Sequence, residues 1–233
     1  MIPTLTEADL EQPRTQSELR KCVDDLHRRF SETNEGKRAV RLRRGHLVKK
    51  FMEEIWPLAL FADAFYRDRS DVRFRPVIGD QPLYDALLIE AGCPQQFLEI
   101  TQAFDGHQNH LRMRHLVQHR HAPVTGPNLV QDKLTGSMPE TWSDTESHEH
   151  LLARTFATIQ EAVHRKSQKP YGSQTSLIVE FDDNHIHTES DQRILNDFVR
   201  STLLVRSGTR FAALYLVSDR ERLAFKYEFR AAK

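Results

Sequence analysis

Apolar positions recur along this chain at two periods, and the changes between them mark out its elements. Residues 1–14 hold two prolines and no sustained period, which predicts a loose arm. In TQSELRKCVDDLHRRFS (15–31), Leu19, Cys22, Val23, Leu26 and Phe30 fall at helical spacing and give a helix with a thin apolar stripe. HLVKKFMEEIWPLALFADAFY (46–66) reads as a long helix, with Pro57 inside it as a kink or boundary. The period then shortens. RFRPVI (73–78), LYDALLIE (83–90) and FLEIT (97–101) read as three short strands, separated by the turn sequences GDQP and AGCPQQ.

Helical spacing returns in HQNHLRMRHLVQHR (107–120), a short basic helix. A Gly- and Pro-rich loop follows, up to Asp144. A stronger helix is expected over 146–167, with Leu152, Phe156, Ile159 and Val163 on its apolar face. SLIVEF (176–181) and FAALYLV (211–217) are runs of the buried-strand type. Between them DQRILNDFVRSTLL (191–204) is a helix with Ser190 as its N-cap, and ERLAFKYEFR (221–230) alternates as a last strand. Helix, three strands, helices, strand, helix, strand, strand: this order predicts an α/β fold with a mixed sheet covered on both faces. Residues 1–44 are expected to form an N-terminal arm and basic helical extension, and residues 45–233 the α/β domain.

Composition narrows the function classes. Over 233 residues the formal net charge is +0, so any attraction to a polyanion must be local. It is concentrated in KRAVRLRRGHLVKK (37–50), which has seven Lys or Arg, among them Arg41, Arg43, Arg44, Lys49 and Lys50. The plain reading is a solvated charged surface; the functional one is a phosphate-contacting patch. Cys22 and Cys93 are the only cysteines, and they suit a reducing, cytoplasmic setting better than a disulfide framework. The sequence MIPTLTEADLEQP lacks the apolar core of a secretory signal. No 18-residue apolar run is present, so no membrane partner is expected. A homodimer is left open.

Three acids stand in awkward places. Phe51, Ile55, Leu58, Ala62 and Phe65 share one helix face, and Glu54 falls at its edge while Glu53 points away. Asp85 interrupts LYDALLIE, and Glu99 interrupts FLEIT. Each has a bland account. Glu54 can pair with Lys50 four residues earlier, Asp85 can belong to a turn before the strand, and Glu99 can face solvent. Taken together, acids on a helix, a strand and the next strand could converge at one sheet edge. There they would repel unless a hard cation such as Mg²⁺ joined them.

Helix Glu54, then Tyr84-Asp85, then Glu99-Ile100-Thr101, resembles the PD-(D/E)xK nuclease superfamily, the restriction-endonuclease-like fold. The order of elements resembles that core over about residues 45–217. The resemblance implies a restriction-endonuclease-like mixed sheet flanked by helices. It also implies a Mg²⁺- or Mn²⁺-dependent nuclease that hydrolyses phosphodiester bonds of nucleic acid, DNA in preference to RNA. Asp85, Glu99 and the carbonyl of Ile100 would be metal ligands, with Glu54 in support. The basic run 37–50, with Arg112 and Arg114, would hold the nucleic-acid backbone. Two residues depart from the pattern. Tyr84 replaces the motif Pro, and Thr101 replaces the motif Lys, which helps position water or stabilise phosphate charge. Gln102 points to the other strand face. Lys50, Lys166 and Lys169 are the candidate substitutes, with Lys169 preferred. The alternative is the same fold as a catalytically inactive nucleic-acid-binding or protein-interaction module.

Two other sites compete. His107, His110, His115, His119 and His121 include an HxxxH pair at a zinc-compatible spacing, though a solvated basic helix explains the run as well. His107 or His110 could also serve as a proton shuttle. In FDDNHIH (181–187), Asp182 and Asp183 end a strand, where α/β sheets bind ligands; a turn is the preferred reading. No GxSxG, GxxxxGK or GxGxxG motif is present.

Overall fold

The computed structural model describes residues 4–79, 83–104, 106–119, 146–204, 211–220 and 222–229, with main chain only at 107 and 119. Six strands form one sheet in chain order: β1 Val72–Pro76, β2 Ala86–Glu90, β3 Gln96–Ala103, β4 Thr175–Phe181, β5 Ala213–Ser218 and β6 Ala224–Glu228. The pairs β1–β2, β2–β3 and β5–β6 are antiparallel, whereas β3–β4 and β4–β5 are parallel. Parallel neighbours need long crossovers. These carry α6 (Gly106–His119) and α7 (His148–Ser167), then α8 (Glu189–Phe198), which ends in a π-helical turn, Val199–Leu203. The loop expected after residue 120 lies outside the described residues up to 145.

The sheet separates two apolar layers. Leu98, Ile100, Ile178 and Tyr215 face a layer built from α2 (Gln16–Ser31) and α5 (Trp56–Phe65). Leu177, Val179, Phe181, Leu214 and Leu216 face the layer of α7 and α8. Strand alternation does the sorting, since consecutive residues of β4 go to opposite sides. β4 is buried along its whole length, Glu180 included, as a strand covered on both faces should be.

The N-terminal segment is more ordered than a loose arm. It holds α1 (Glu7–Leu10), and Arg14 pairs with Phe74 of β1. Leu10, Leu19, Val23 and Phe30 belong to the same apolar layer as Phe51 and Phe61. Part of the basic run also folds, as α3 (Asn34–Arg41), whose Gly36 lies so close to α2 that a Cβ there would sit 2.2 Å from the Phe30 carbonyl oxygen. The turn after α3 uses left-handed backbone at Arg43 and Gly45.

The expected long helix is present, but in three parts. α4 (His46–Lys50) passes through a π-helical turn, Phe51–Ile55, into α5. Pro57 neither breaks nor ends it. The extra residue of the π turn lies immediately upstream, where the proline ring would press on an α-helical carbonyl. α8 differs in its cap. Thr188, not Ser190, is the N-cap, in a capping box with Asp191. Among the described residues no helix is long and apolar enough to cross a membrane.

Candidate functional site

β2 begins at Ala86, so Asp85 stands just before the strand. Its N–H donates at 2.8 Å to the carbonyl of Leu98, the residue Ala86 already faces, so the register slips by one residue here. Glu99, the next residue along β3, is near enough for its charge to act on Asp85. Beyond that point β3 has no partner strand on this side among the described residues, and Asp85 Oδ2 accepts the Ile100 N–H at 2.8 Å. A carboxylate thus caps the edge of β3, near a second carboxylate.

Glu54 joins them from the helix layer. Its Oε1 accepts from Lys50 Nζ at 2.7 Å, the i,i+4 pair anticipated from the sequence, while its Oε2 is buried without a hydrogen-bond partner. Burial, and next the charge of Asp85, push the Glu54 carboxyl up to about 7. Burial and the charge of Glu99 likewise raise Asp85, against opposing effects from Lys166, the Ile100 N–H and Lys50. Lys50 itself is raised: burial works against its charge, but Glu54, Asp85 and Glu99 outweigh it. The three acids therefore act on one another electrostatically.

The cations come from the last turn of α7. Lys166 donates from Nζ to Glu99 Oε1, and Tyr171 OH donates to the same oxygen at 2.7 Å. Burial and the Glu99 contact raise the Tyr171 phenol, which remains a donor. Thr101, in the motif lysine's place, accepts from an Arg165 guanidinium nitrogen at 3.0 Å. Of the candidate lysines, Lys50 reaches Glu54 and Lys166 reaches Glu99, whereas the preferred Lys169 lines the cavity. Arg165 and Tyr171 escaped sequence reasoning. The only signal was the basic helix end HRKSQK followed by KPYG.

A cavity of about 710 Å³ opens beside this group; of the three acids Glu54 lines it, and Asp85 and Glu99 do not. Glu54, Ile100, Thr101 and Gln102 contribute to its lining, with Arg41, Arg43 and Lys49 on one side and Arg165, Lys166 and Lys169 on the α7 side. Arg43 is held by Glu53 at 2.6 Å. Arg44 and Arg114 do not line this cavity. Arg112 lines a second cavity, of about 490 Å³, that shares Asn109 and Met113 of α6 with the first.

Of the histidines, His110 lines the larger cavity and His115 is fully buried; the side chains of His107 and His119, and all of His121, lie outside what is described. Asp182, Asp183 and Asp219 form a tighter acidic group, with ligand oxygens all within 4.8 Å of one another. Here turn chemistry accounts for much of the arrangement. Asp182 Oδ1 accepts the Asn184 N–H at 2.8 Å, and both oxygens of Asp183 are held by Arg222, at 2.7 and 2.9 Å. Burial and the two neighbouring aspartates push Asp219 up to about 6.

No family model, curated protein or solved structure matches this chain.

Proposed function

We propose that this protein is a metal-dependent phosphodiesterase acting on nucleic acid, with its site at Glu54, Asp85 and Glu99 in a PD-(D/E)xK-like arrangement. The observation that carries this reading is the electrostatic meeting of Glu54, Asp85 and Glu99, with Glu54 lining a cavity rimmed by six Lys and Arg side chains. Such a rim favours a polyanion, and mutually repelling acids beneath it favour a hard divalent cation. The residues fit that cation. Glu54 has a buried oxygen without a partner, and the hydrogen bonds from Lys166 and Tyr171 to Glu99 both fall on Oε1.

Asp85, Glu99 and the Ile100 carbonyl would hold Mg²⁺ or Mn²⁺, with Glu54 beside them. When bound, the ion supplies positive charge at the phosphate and lowers the pKa of water. The protein supplies the rest. Arg41, Arg43, Lys49 and Lys169 bind phosphates along the cavity. The Lys166 ammonium stands beside Glu99, where it can orient a water or meet charge developing on phosphate oxygens. Arg165 adds a guanidinium beside Thr101, which has no charge of its own. These contacts read phosphate rather than base, so DNA is preferred here only by the family resemblance.

The Lys50–Glu54 and Lys166–Glu99 pairs favour a second reading, in which the neutralised acids are structural and the cavity binds nucleic acid without cutting it. One experiment separates the two. Plasmid, linear DNA and RNA are incubated with the protein in Mg²⁺, Mn²⁺ or EDTA. The nuclease reading expects metal-dependent cleavage that falls on the order of 10²-fold or more in Asp85→Ala and Glu99→Ala. Retained binding with no cleavage in any metal would leave only the binding module.

A further inference from the structure

The helix that carries Glu54 has one carbonyl its own backbone cannot satisfy. In an α-helix the Met52 carbonyl would accept the N–H of Trp56, four residues on. That N–H is instead bound to the Phe51 carbonyl, as the π turn requires. In a π-helix the Met52 carbonyl would accept from residue 57. Residue 57 is proline and has no N–H. The side chain of Gln102 takes that place, donating from Nε2 to the Met52 carbonyl oxygen at 3.0 Å.

Gln102 is itself held from below. The same Nε2 donates to Oε2 of Glu180, its register partner across the parallel β3–β4 pair. Glu180 is only 2% exposed and sits between apolar strand neighbours, where a carboxyl group is costly to bury. Burial first, and then the charge of Asp219, push it up to about 8, against opposing effects from Gln102 and Arg43, so it is largely a neutral acid near neutrality.

We propose that Glu180 is a positioning residue for the acidic site: through Gln102 it holds the Met52 carbonyl, and with it the π-helical turn that presents Glu54 to Asp85 and Glu99. The chain Glu180–Gln102–Met52 runs from the sheet interior to the backbone two residues before Glu54. Gln102 also lines the cavity, so the link lies directly against the space a substrate would fill. An apolar residue at 180 would have filled the core. An acid there makes sense as an anchor for the carboxamide above it, since buried polar networks fix one geometry when every member is paired.

The inference rests on the nuclease reading only in its activity measurement. The test uses the full chain and three variants: Glu180→Gln, Glu180→Leu and Gln102→Leu. Backbone amide exchange over residues 51–56, Mn²⁺ affinity by calorimetry and cleavage rate are compared. Glu180→Gln keeps a neutral hydrogen-bonding group and is expected to match the parent in all three. Glu180→Leu and Gln102→Leu are expected to speed exchange over 51–56 and to weaken Mn²⁺ binding on the order of 10-fold or more, as loss of outer-shell partners does. A matching fall in cleavage is expected. Should Glu180→Leu fail to fold, Gln102→Leu carries the test. Unchanged exchange over 51–56 in the leucine variants overturns the proposal. So does a Glu180→Gln variant as impaired as Glu180→Leu. A parent protein that neither cleaves nor binds Mn²⁺ overturns the nuclease reading instead, and exchange over 51–56 still decides whether the anchor exists.

Discussion

Glu99 receives two donors, Lys166 and Tyr171, on a single oxygen. Two hydrogen bonds to one oxygen fix the carboxylate's rotation and determine which oxygen stays available. Lys166 should therefore matter more than its sequence neighbours. Under the nuclease reading, Lys166→Ala is expected to lower cleavage on the order of 10²-fold. Lys169→Ala, at the rim, should mainly weaken nucleic-acid binding and reduce its salt dependence. Equal effects of the two in single-turnover assays would contradict this ordering. The acids were legible in the sequence because an acid inside a strand or at the edge of an apolar helix face breaks a local pattern. The cation was not. Lys166 lies 67 residues from Glu99, on a helix end whose basic residues look solvated until the β3–β4 crossover brings them back over the sheet.

At the scale of elements, the six strands were readable because alternation and apolar runs of strand length leave little choice. Cap and turn details were less so. Thr188 and Ser190 both suit an N-cap chemically, and the choice depends on which hydroxyl meets the N–H three residues on; Thr188 meets that of Asp191 at 3.1 Å. Thr188→Ala is expected to cost about 1 kcal/mol in chemical denaturation, whereas Ser190→Ala should change little. The helix over 34–41 was legible only as part of a basic helical extension, without bounds of its own, because its charges hide its apolar contacts. Only Gly36 and Ala39 are buried there. Its glycine lowers helix propensity, yet that same glycine allows α3 to approach α2.

For the molecule as a whole, the raised acids bias stability towards mild acidity. Glu180 moves from an ordinary value of 4.5 to about 8, and Glu54 to about 7, so the folded state keeps protons that the unfolded chain releases. Stability from such groups is fully present below the unfolded value and is lost as pH rises through the folded value. Asp191 works the other way. The His148 side chain at 3.0 Å, aided by backbone donors, holds it below the ordinary carboxylate range, so its contribution is lost only in stronger acid. In EDTA, melting temperature is expected to fall steadily from about pH 5 to pH 8, with a shallower fall in Glu180→Gln. Under the nuclease reading, added Mn²⁺ should raise it more at pH 8, where the acids have lost their protons, than at pH 6. A flat profile in EDTA would contradict the burial of these carboxyl groups.

The π turn at Phe51–Ile55 also sets a phase. It contains one residue more than the α-helix on either side needs, and one residue is worth about 100° of rotation about the axis. Removing a residue from this turn would leave a longer, more regular helix, yet it would turn Lys49, Lys50 and α3 with its arginines by more than a quarter circle relative to Leu58 and Phe61. The basic wall of the cavity and the apolar anchor of the helix are thus geared together. Along this stretch the chain can exchange side chains one at a time, but a change in length alters the aim of every charge upstream.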